Sequence, residues 1–178
     1  MRKVRKQIET IARGIKLLIL DVDGVMTDGG IILDNKGNEL KVFHVRDGHG
    51  IKMLQMAGIK VAIVTGRSSD VVLKRAKELD ISDVYQGVFK KSIIYEKLLK
   101  KYKLKDNEVA FMGDDVVDIE ILKRVGLPAV PRDADEEVKG FAKFISSKDG
   151  GRGAVREFID FILKSKGLWG SASGESLG

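Results

Sequence analysis

The sequence predicts an α/β fold built on a largely parallel sheet. Short apolar runs alternate along the chain with segments whose apolar residues recur at helical spacing. Alternating strands and helices are typical of a parallel sheet sandwiched by helices, as in Rossmann-like folds. The chain has 178 residues, of which 43% are hydrophobic and 33% charged, and this is enough for one domain.

Six short apolar runs mark the predicted strands. The first, Lys16–Leu20, has the continuous apolar pattern of a buried strand and ends directly before Asp21. Two later runs end in the same way, before Thr65 and before Gly113. The predicted strands are Lys16–Leu20, Val61–Val64, Val84–Tyr85, Val109–Met112, Ala129–Val130 and Phe144–Ile145.

Helical spacing predicts the segments between these strands. In Ser92–Tyr102, for example, Ile94, Leu98 and Tyr102 recur every four residues and would share one face. The predicted helices are Arg2–Arg13, Gly48–Ala57, Asp70–Leu79, Ser92–Tyr102, Val116–Val125 and Ala154–Leu163.

One segment interrupts the alternation directly after the first strand. Gly30–Leu33 and Asn38–Phe43 are β-like, and the turn-forming residues 34–37 join them, so a hairpin is predicted at about 29–43. A hairpin of this size cannot form a second folded domain. We therefore predict one domain over residues 1–166.

Composition bounds the rest of the chain. Residues 167–178 are rich in Gly and Ser and are predicted to be a disordered tail. The net charge of +6 comes with no aromatic residues among the lysines, which favours solvated helix faces over nucleic-acid binding. With no Cys, no apolar run of membrane-spanning length and no signal-like N-terminus, we expect a cytoplasmic protein that does not bind membranes.

Acidic residues follow two of the predicted strands. Asp21 and Asp23 are separated by one residue, so their side chains point the same way on an extended chain. Asp114, Asp115 and Asp118 follow another strand, and helix capping explains one or two of these acids but not all three. Alone, each group could be an ordinary turn.

Two further features suit a phosphate ligand. Thr65 and the turn after it follow a third strand and can donate hydrogen bonds to phosphate oxygens. A Lys near the start of a predicted helix can approach an anion, although chemistry alone leaves Lys90 and Lys91 as alternatives.

All of these residues are predicted at one edge of the sheet. Ligands of open parallel sheets bind at the carboxyl ends of the strands, so the acidic residues would crowd there. Crowded carboxylates repel one another unless a cation offsets their charge. Oxygen ligands without Cys or His favour Mg²⁺.

The order of the motifs, DxDG, TGR, Lys and GDDxxD, resembles the haloacid dehalogenase superfamily of phosphotransferases over residues 16–131. The hairpin, in place of a full cap domain, and the segments HVRDGHG at 44–50 and GGRGAVRE at 150–157 are similar to the 3-deoxy-D-manno-octulosonate 8-phosphate (KDO 8-phosphate) phosphatases of that superfamily. This second resemblance extends to about residue 163. It implies release of phosphate from a sugar-acid phosphate, giving KDO for lipopolysaccharide synthesis.

The resemblance also implies roles for individual residues. The family Lys lies four residues after Gly87, which selects Lys91 over Lys90. Asp21 would be the nucleophile and Asp23 the acid and base, while Thr65 and Lys91 would hold the phosphoryl oxygens. The Mg²⁺ ligands would be Asp21, the backbone carbonyl of Asp23, and Asp114. Asp115 would act through a bound water or by orienting these ligands, and Asp118 would support them. The implied substrate contacts are Asp23, His44, Val45, Arg46, Asp47, Gly48, Lys52, Arg67, Arg75 and Lys91.

The resemblance implies an assembly as well. Family members form homotetramers in which the hairpins build subunit contacts. Arg152, in the Gly-rich segment before the last helix, could then reach into the active site of a neighbour, or could simply lead into that helix.

Three alternatives remain open at this point. An acylneuraminate 9-phosphate phosphatase would share the motifs and the chemistry. A signalling phosphoacceptor domain uses Asp, Thr, Lys and Mg²⁺ too. In such domains a pair of acids comes first, and the phosphoacceptor Asp, the Thr and the Lys follow it. Here the order is different, because DxD precedes Thr65, Lys91 and a late acidic cluster. A nucleic-acid or scaffold protein would leave the acidic cluster unexplained.

Overall fold

The predicted α/β fold is confirmed by a computed structural model, which describes residues 2–173 of the chain. In this part of the chain, no helix is both long and apolar enough to cross a membrane. The strands are β1 (Leu17–Leu20), β2 (Ile32–Leu33), β3 (Glu39–Leu40), β4 (Lys60–Val64), β5 (Asp83–Tyr85), β6 (Val109–Met112), β7 (Leu127–Val130) and β8 (Phe144–Ile145). The helices are α1 (Arg2–Gly14), α2 (Val45–Met56), α3 (Asp70–Glu78), α4 (Lys91–Tyr102), α5 (Ile119–Leu122), α6 (Glu136–Lys139), α7 (Ala154–Lys166) and α8 (Trp169–Ser173), with 3₁₀ turns at Asp106–Glu108 and Val116–Asp118.

Six strands form one parallel sheet in the order β5-β4-β1-β6-β7-β8. The central strand β1 is in register with both neighbours, so that Leu20 lies beside Ile63 and Met112. The three central strands consequently end at the same level. Asp21 continues this pairing, because its backbone N–H donates to the Met112 carbonyl at 3.1 Å.

Strand β1 separates two hydrophobic cores. Leu18 and Leu20 belong to one core with α2 and α7, while Leu17 and Ile19 belong to the other, which includes Tyr95 of α4. All four leucine and isoleucine side chains of β1 are fully buried. Each contributes about 1.5–3 kcal/mol when removed from water. The rigid centre of the molecule therefore lies directly beneath the end of β1.

The predicted hairpin is present after β1, with shorter strands than expected. Ile32 pairs with Leu40 and Leu33 with Glu39. Asp34 closes the turn, since its Oδ1 accepts the backbone N–H groups of Lys36 and Asn38, both at 2.8 Å. The apolar residues of the hairpin are largely exposed, between 47% and 60%: Ile31, Ile32, Leu33, Leu40 and Val42.

Two segments differ from the prediction. The predicted helix 116–125 is a 3₁₀ turn followed by the short α5, because the Asp118 carboxylate accepts backbone N–H groups before the turn and tightens it. The second segment is the tail, which was predicted to be disordered from residue 167 but forms the helix α8 over Trp169–Ser173. There the Trp169 indole N–H donates to Asp160 at 3.0 Å, and Trp169 packs against the core of α7. Residues 174–178 of the predicted tail lie outside the described part of the chain.

Candidate active site

A cavity of about 410 Å³ opens at the carboxyl ends of β1, β4 and β6. Parallel strands place their following loops together at this edge, as the sequence led us to expect. The cavity collects the whole predicted catalytic and metal set, two members of which are also predicted substrate contacts, together with one further predicted substrate contact. The predicted residues that line it are Asp21, Asp23, Thr65, Arg67, Lys91, Asp114 and Asp115.

Asp21 is held rigidly at the floor of the cavity. The residue is 7% exposed, and its Oδ1 accepts the backbone N–H of Val22 at 2.7 Å. Its Oδ2 accepts a hydrogen bond from the Lys91 ammonium. Burial raises the pKa of Asp21 above its usual value, although the ion pair with Lys91 opposes this. The carboxylate is thus oriented and desolvated, as a nucleophile requires.

Lys91 bridges two carboxylates at the start of α4. Its Nζ also donates to Asp118 Oδ1 at 2.6 Å. Burial alone would lower the pKa of Lys91, but Asp21 and Asp118 outweigh burial and raise it. Lys91 therefore remains a cation beside the nucleophile. The neighbouring Lys90 is exposed and does not line the cavity.

Three carboxylates converge where a cation would be needed. One oxygen each from Asp21, Asp114 and Asp118 lies within 4.8 Å of the others. Burial, followed by the charges of Asp21 and Asp118, raises the pKa of Asp114 to about 8. Lys91 alone therefore does not offset the negative charge. An all-oxygen donor set with uncompensated charge fits Mg²⁺.

Asp115 and Asp118 lie at different depths beside Asp114. Asp115 lines the cavity but is exposed, and its Oδ1 accepts the N–H of Val116 at 2.6 Å, where it caps the 3₁₀ turn. Asp118 is fully buried and accepts N–H groups from Asp114 at 3.0 Å and Asp115 at 3.4 Å. Asp118 thus supports Asp114 and is one of the three converging carboxylates, whereas Asp115 is not. Its spacing of four from Asp114 was the available sequence signal.

Asp23 lies at the cavity wall after a tight turn. Its Oδ1 accepts a hydrogen bond from the Lys41 ammonium, and its Oδ2 is 3.9 Å from Arg67 Nη1. Gly24 follows with φ of +79°, and a Cβ there would lie 1.9 Å from Asp114 Oδ2. Glycine is therefore required for the DxDG loop to approach Asp114 this closely. Lys41 was not foreseen from the sequence.

Thr65 directly follows β4, the strand that pairs with β1 on the side opposite β6. It is 2% exposed, its N–H donates to Tyr85 O at 3.0 Å and its carbonyl accepts from Val88 N at 3.1 Å. Its backbone is consequently fixed while its side chain lines the cavity. Arg67, two residues later, donates to Glu39 Oε1 at 2.8 Å.

The remaining predicted substrate contacts do not line this cavity. They lie on and beside α2, and we call them the second region: His44, Val45, Arg46, Asp47, Gly48, Lys52, Arg75 and Arg152. Several of these residues have local partners. The guanidinium of Arg75 lies 5.6 Å from the Phe43 ring centroid and pairs with Glu78 at 2.8 Å. Lys52 pairs with Asp80, and Arg152 with Asp28 at 3.0 Å.

Asp47 of the second region has a structural contact. Its Oδ1 accepts the backbone N–H of Arg156 at 2.8 Å and so joins α2 to the start of α7. Burial raises the pKa of Asp47. By contrast, Val45 is 77% exposed and Arg46 is exposed too, so these two side chains point away from the core.

The Gly-rich segment before α7 packs closely against the catalytic loop. A Cβ on Gly150 would lie 1.8 Å from the Gly24 carbonyl oxygen, and one on Gly151 would lie 2.6 Å from the Asp28 nitrogen. The N–H of Gly151 donates to Val25 O at 3.0 Å. These glycines permit close contact behind the DxDG loop, and they place Arg152 beside Asp28.

Comparisons with known proteins agree with this arrangement. A family model described as haloacid dehalogenase-like hydrolase matches residues 48–126. The 3-deoxy-D-manno-octulosonate 8-phosphate phosphatase KdsC of Salmonella typhi is 42% identical over 174 residues, which cover 98% of this chain and 93% of that protein. The protein of the same name from Escherichia coli K12 is 43% identical over 166 residues, covering 93% of this chain and 88% of that protein.

A solved structure shows the same likeness. The crystal structure of 3-deoxy-D-manno-octulosonate 8-phosphate phosphatase from Moraxella catarrhalis, in complex with a magnesium ion, a phosphate ion and KDO, has a TM-score of 0.93 and 37% identity. The match covers 96% of this chain and 98% of that chain. The chain described here therefore belongs to the haloacid dehalogenase-like hydrolases, in the family of the 3-deoxy-D-manno-octulosonate 8-phosphate phosphatases.

Proposed function

We propose that this protein is a Mg²⁺-dependent phosphatase that hydrolyses KDO 8-phosphate to KDO and phosphate, for lipopolysaccharide synthesis. The observation that carries the proposal is the buried Asp21 carboxylate, hydrogen-bonded to Lys91 and converging with Asp114 and Asp118 in one cavity. Phosphoryl transfer depends mainly on positioning and on charge stabilisation, which this arrangement provides. Relatives named 3-deoxy-D-manno-octulosonate 8-phosphate phosphatase are 42–43% identical to the chain over the matched residues.

The acids at the floor of the cavity would hold the ion. Asp21, Asp114 and the backbone carbonyl of Asp23 are the proposed ligands, with Asp115 and Asp118 acting through water or as supports. When bound, Mg²⁺ offsets negative charge on the phosphoryl oxygens.

Asp21 performs the first chemical step. A carboxylate oxygen attacks phosphorus, the bond from phosphorus to the sugar oxygen breaks, and an aspartyl-phosphate forms. Asp23 gives its proton to the departing sugar oxygen. It then takes a proton from the water that attacks the aspartyl-phosphate, which releases phosphate and restores Asp21. The Thr65 hydroxyl and the Lys91 ammonium stabilise the charge on the phosphoryl oxygens.

We further propose a homotetramer whose subunits complete one another's sites. Two observations support it. The hairpin exposes apolar side chains, among them Ile31 and Leu33 at 60%, which suit a subunit contact. The second region carries the cations expected to bind the sugar acid, yet it lies outside the cavity of its own chain, so Lys52, Arg75 and Arg152 would act at a neighbour's cavity. We place the enzyme in the reducing cytoplasm, with which a chain without Cys is compatible.

A phosphate-release panel tests the proposed function. The substrates are KDO 8-phosphate, an acylneuraminate 9-phosphate, glucose 6-phosphate and p-nitrophenyl phosphate, each assayed with Mg²⁺ and with a chelator. We expect the highest kcat/KM for KDO 8-phosphate, and no turnover with the chelator. Preference for the nine-carbon substrate would replace the proposed substrate with its alternative. A single phosphorylation without turnover would indicate a signalling phosphoacceptor instead.

A further inference from the structure

Two charged side chains of the hairpin contact residues that line the cavity. Glu39 lies in β3 and Lys41 directly follows that strand, and both side chains lie on the same side, with Lys41 Nζ 3.4 Å from Glu39 Oε1. Leu40, between them, is 56% exposed. The side chain of Lys41 is only 1% exposed and that of Glu39 is 16% exposed, although the hairpin around them is open to solvent.

Lys41 joins a closed network of four charges. Its Nζ donates to Asp23 Oδ1 and lies 3.4 Å from Glu39 Oε1. The same Glu39 oxygen accepts from Arg67 Nη2 at 2.8 Å. A buried ammonium requires such partners, because an unpaired one would be expelled or neutralised. Two cations and two carboxylates balance, so Asp23 is one corner of a structure built largely by the hairpin.

The network distinguishes the two oxygens of Asp23. Oδ1 is occupied by the Lys41 ammonium, whereas Oδ2 is 3.9 Å from Arg67 Nη1 and therefore beyond hydrogen-bonding distance. Asp23 itself lines the cavity, but Lys41 does not. In this arrangement Lys41 touches Asp23 without being placed to touch a bound substrate. That geometry is what a group acting through another residue would show.

We propose that Lys41, held in place by Glu39, is a positioning residue for the acid/base carboxylate of Asp23. Lys41 restrains Oδ1, so Oδ2 is the oxygen that exchanges a proton with the leaving group and with water. Proton transfer needs donor and acceptor within hydrogen-bond reach, so this restraint raises the rate without contributing to substrate binding. The inference rests on the proposed phosphatase function, but not on the identity of the sugar. It gives Glu39 and Lys41 a role in catalysis, but not the exposed turn of the hairpin.

A double-mutant cycle tests the proposal. Lys41→Met removes the ammonium at nearly constant shape, and Lys36→Met, on the exposed turn of the same hairpin, is the matched control. Both substitutions are made in the wild type and in Asp23→Asn, and kcat and KM are measured with p-nitrophenyl phosphate as substrate in the presence of Mg²⁺. We expect Lys41→Met to lower kcat by about tenfold or more in the wild type, with KM within about twofold. In Asp23→Asn it should cost less than about twofold, because the group it positions is already gone.

Glu39→Gln provides a second variant in case Lys41→Met does not fold. It removes one partner of Lys41 while keeping the ammonium, so we expect a loss in kcat of about threefold that disappears in Asp23→Asn. Melting temperatures of all variants are recorded alongside. An equal loss of kcat in both backgrounds, an effect confined to KM, or unchanged kinetics would overturn the proposal. Since p-nitrophenyl phosphate requires no sugar recognition, the double-mutant cycle can still be measured and interpreted even if KDO 8-phosphate is not a substrate.

Discussion

The cavity and the second region differ in how completely a single chain builds them. In the cavity, Asp21, Lys91 and Asp118 are buried and bonded to one another, and the end of a rigid strand sets their positions. In the second region, Lys52 and Arg152 are exposed to solvent and paired with acids of their own surface. The predicted catalytic groups are thus brought together by one chain, whereas most of the predicted sugar contacts lie outside its cavity. This difference is the reason for our proposal that neighbouring subunits complete the site.

Replacing the nucleophile should have the largest effect on the cavity. Asp21→Asn keeps the size of the side chain but cannot form the aspartyl-phosphate. We expect kcat to fall by more than about 10⁴-fold, as for other nucleophiles of covalent catalysis. Phosphate release under multiple turnover measures this, with circular dichroism to confirm folding. Substantial turnover by the folded variant would assign the nucleophile elsewhere.

Metal binding should reveal the electrostatic strain in the cavity. Without a divalent cation the pKa of Asp114 is about 8, so the folded chain binds a proton that the unfolded chain releases near pH 4. Folding stability should therefore decrease as pH rises from about 4 to about 8. Mg²⁺ competes with that proton, so it should raise the melting temperature by at least about 4 °C near pH 8.5 and by much less near pH 5.5. Equal shifts at both pH values would contradict this electrostatic picture.

The second region should respond through KM. Arg75→Ala removes a cation proposed to bind the sugar acid in a neighbouring site, so we expect KM for KDO 8-phosphate to rise about tenfold with little change in kcat. Glu78→Gln is the matched control, because it breaks the ion pair of Arg75 but keeps the guanidinium. A fall in kcat with p-nitrophenyl phosphate as well would mean that Arg75 supports the fold instead.

The smallest effect is expected at the Gly-rich segment. Arg152 is 61% exposed in its side chain and pairs with Asp28, so its loss costs the isolated chain little. We expect Arg152→Ala, assayed as the purified oligomer, to raise KM for KDO 8-phosphate about threefold, in line with the loss of one exposed contact. Unchanged kinetics would leave Arg152 as a lead-in to α7 and remove it from the proposed recognition surface.

Much of the cavity could be predicted from local sequence, for a physical reason. Asp21, Thr65 and Asp114 each follow an apolar run, and parallel strands align their carboxyl ends regardless of loop detail. Lys41 could not be found in this way, because its burial depends on how the hairpin folds back over Asp23. The closeness of Asp118 to Asp21 likewise depends on a 3₁₀ turn that helical periodicity does not indicate.

The positions of the predicted sugar contacts in the second region could not be derived from local sequence either. Resemblance to a family grouped Lys52, Arg75 and Arg152 with the predicted catalytic residues, but no periodic pattern in the sequence indicates that they lie outside the cavity. The short helix at Trp169 was missed because Gly and Ser dominate the composition there, while one indole has enough apolar area and a hydrogen bond to anchor the segment.

The most direct test of the central claim is to find the phosphoryl group on Asp21. The Asp23→Asn variant lacks the base for hydrolysis, and p-nitrophenyl phosphate needs no acid to release its leaving group, so the aspartyl-phosphate should accumulate. After reaction with Mg²⁺, the protein is quenched in acid and digested at low pH, and its peptides are mapped by mass spectrometry. The account predicts a phosphoryl group on Asp21, and none when Asp21→Asn is added. Phosphate on another residue, or turnover with Asp21 unmodified, would contradict it.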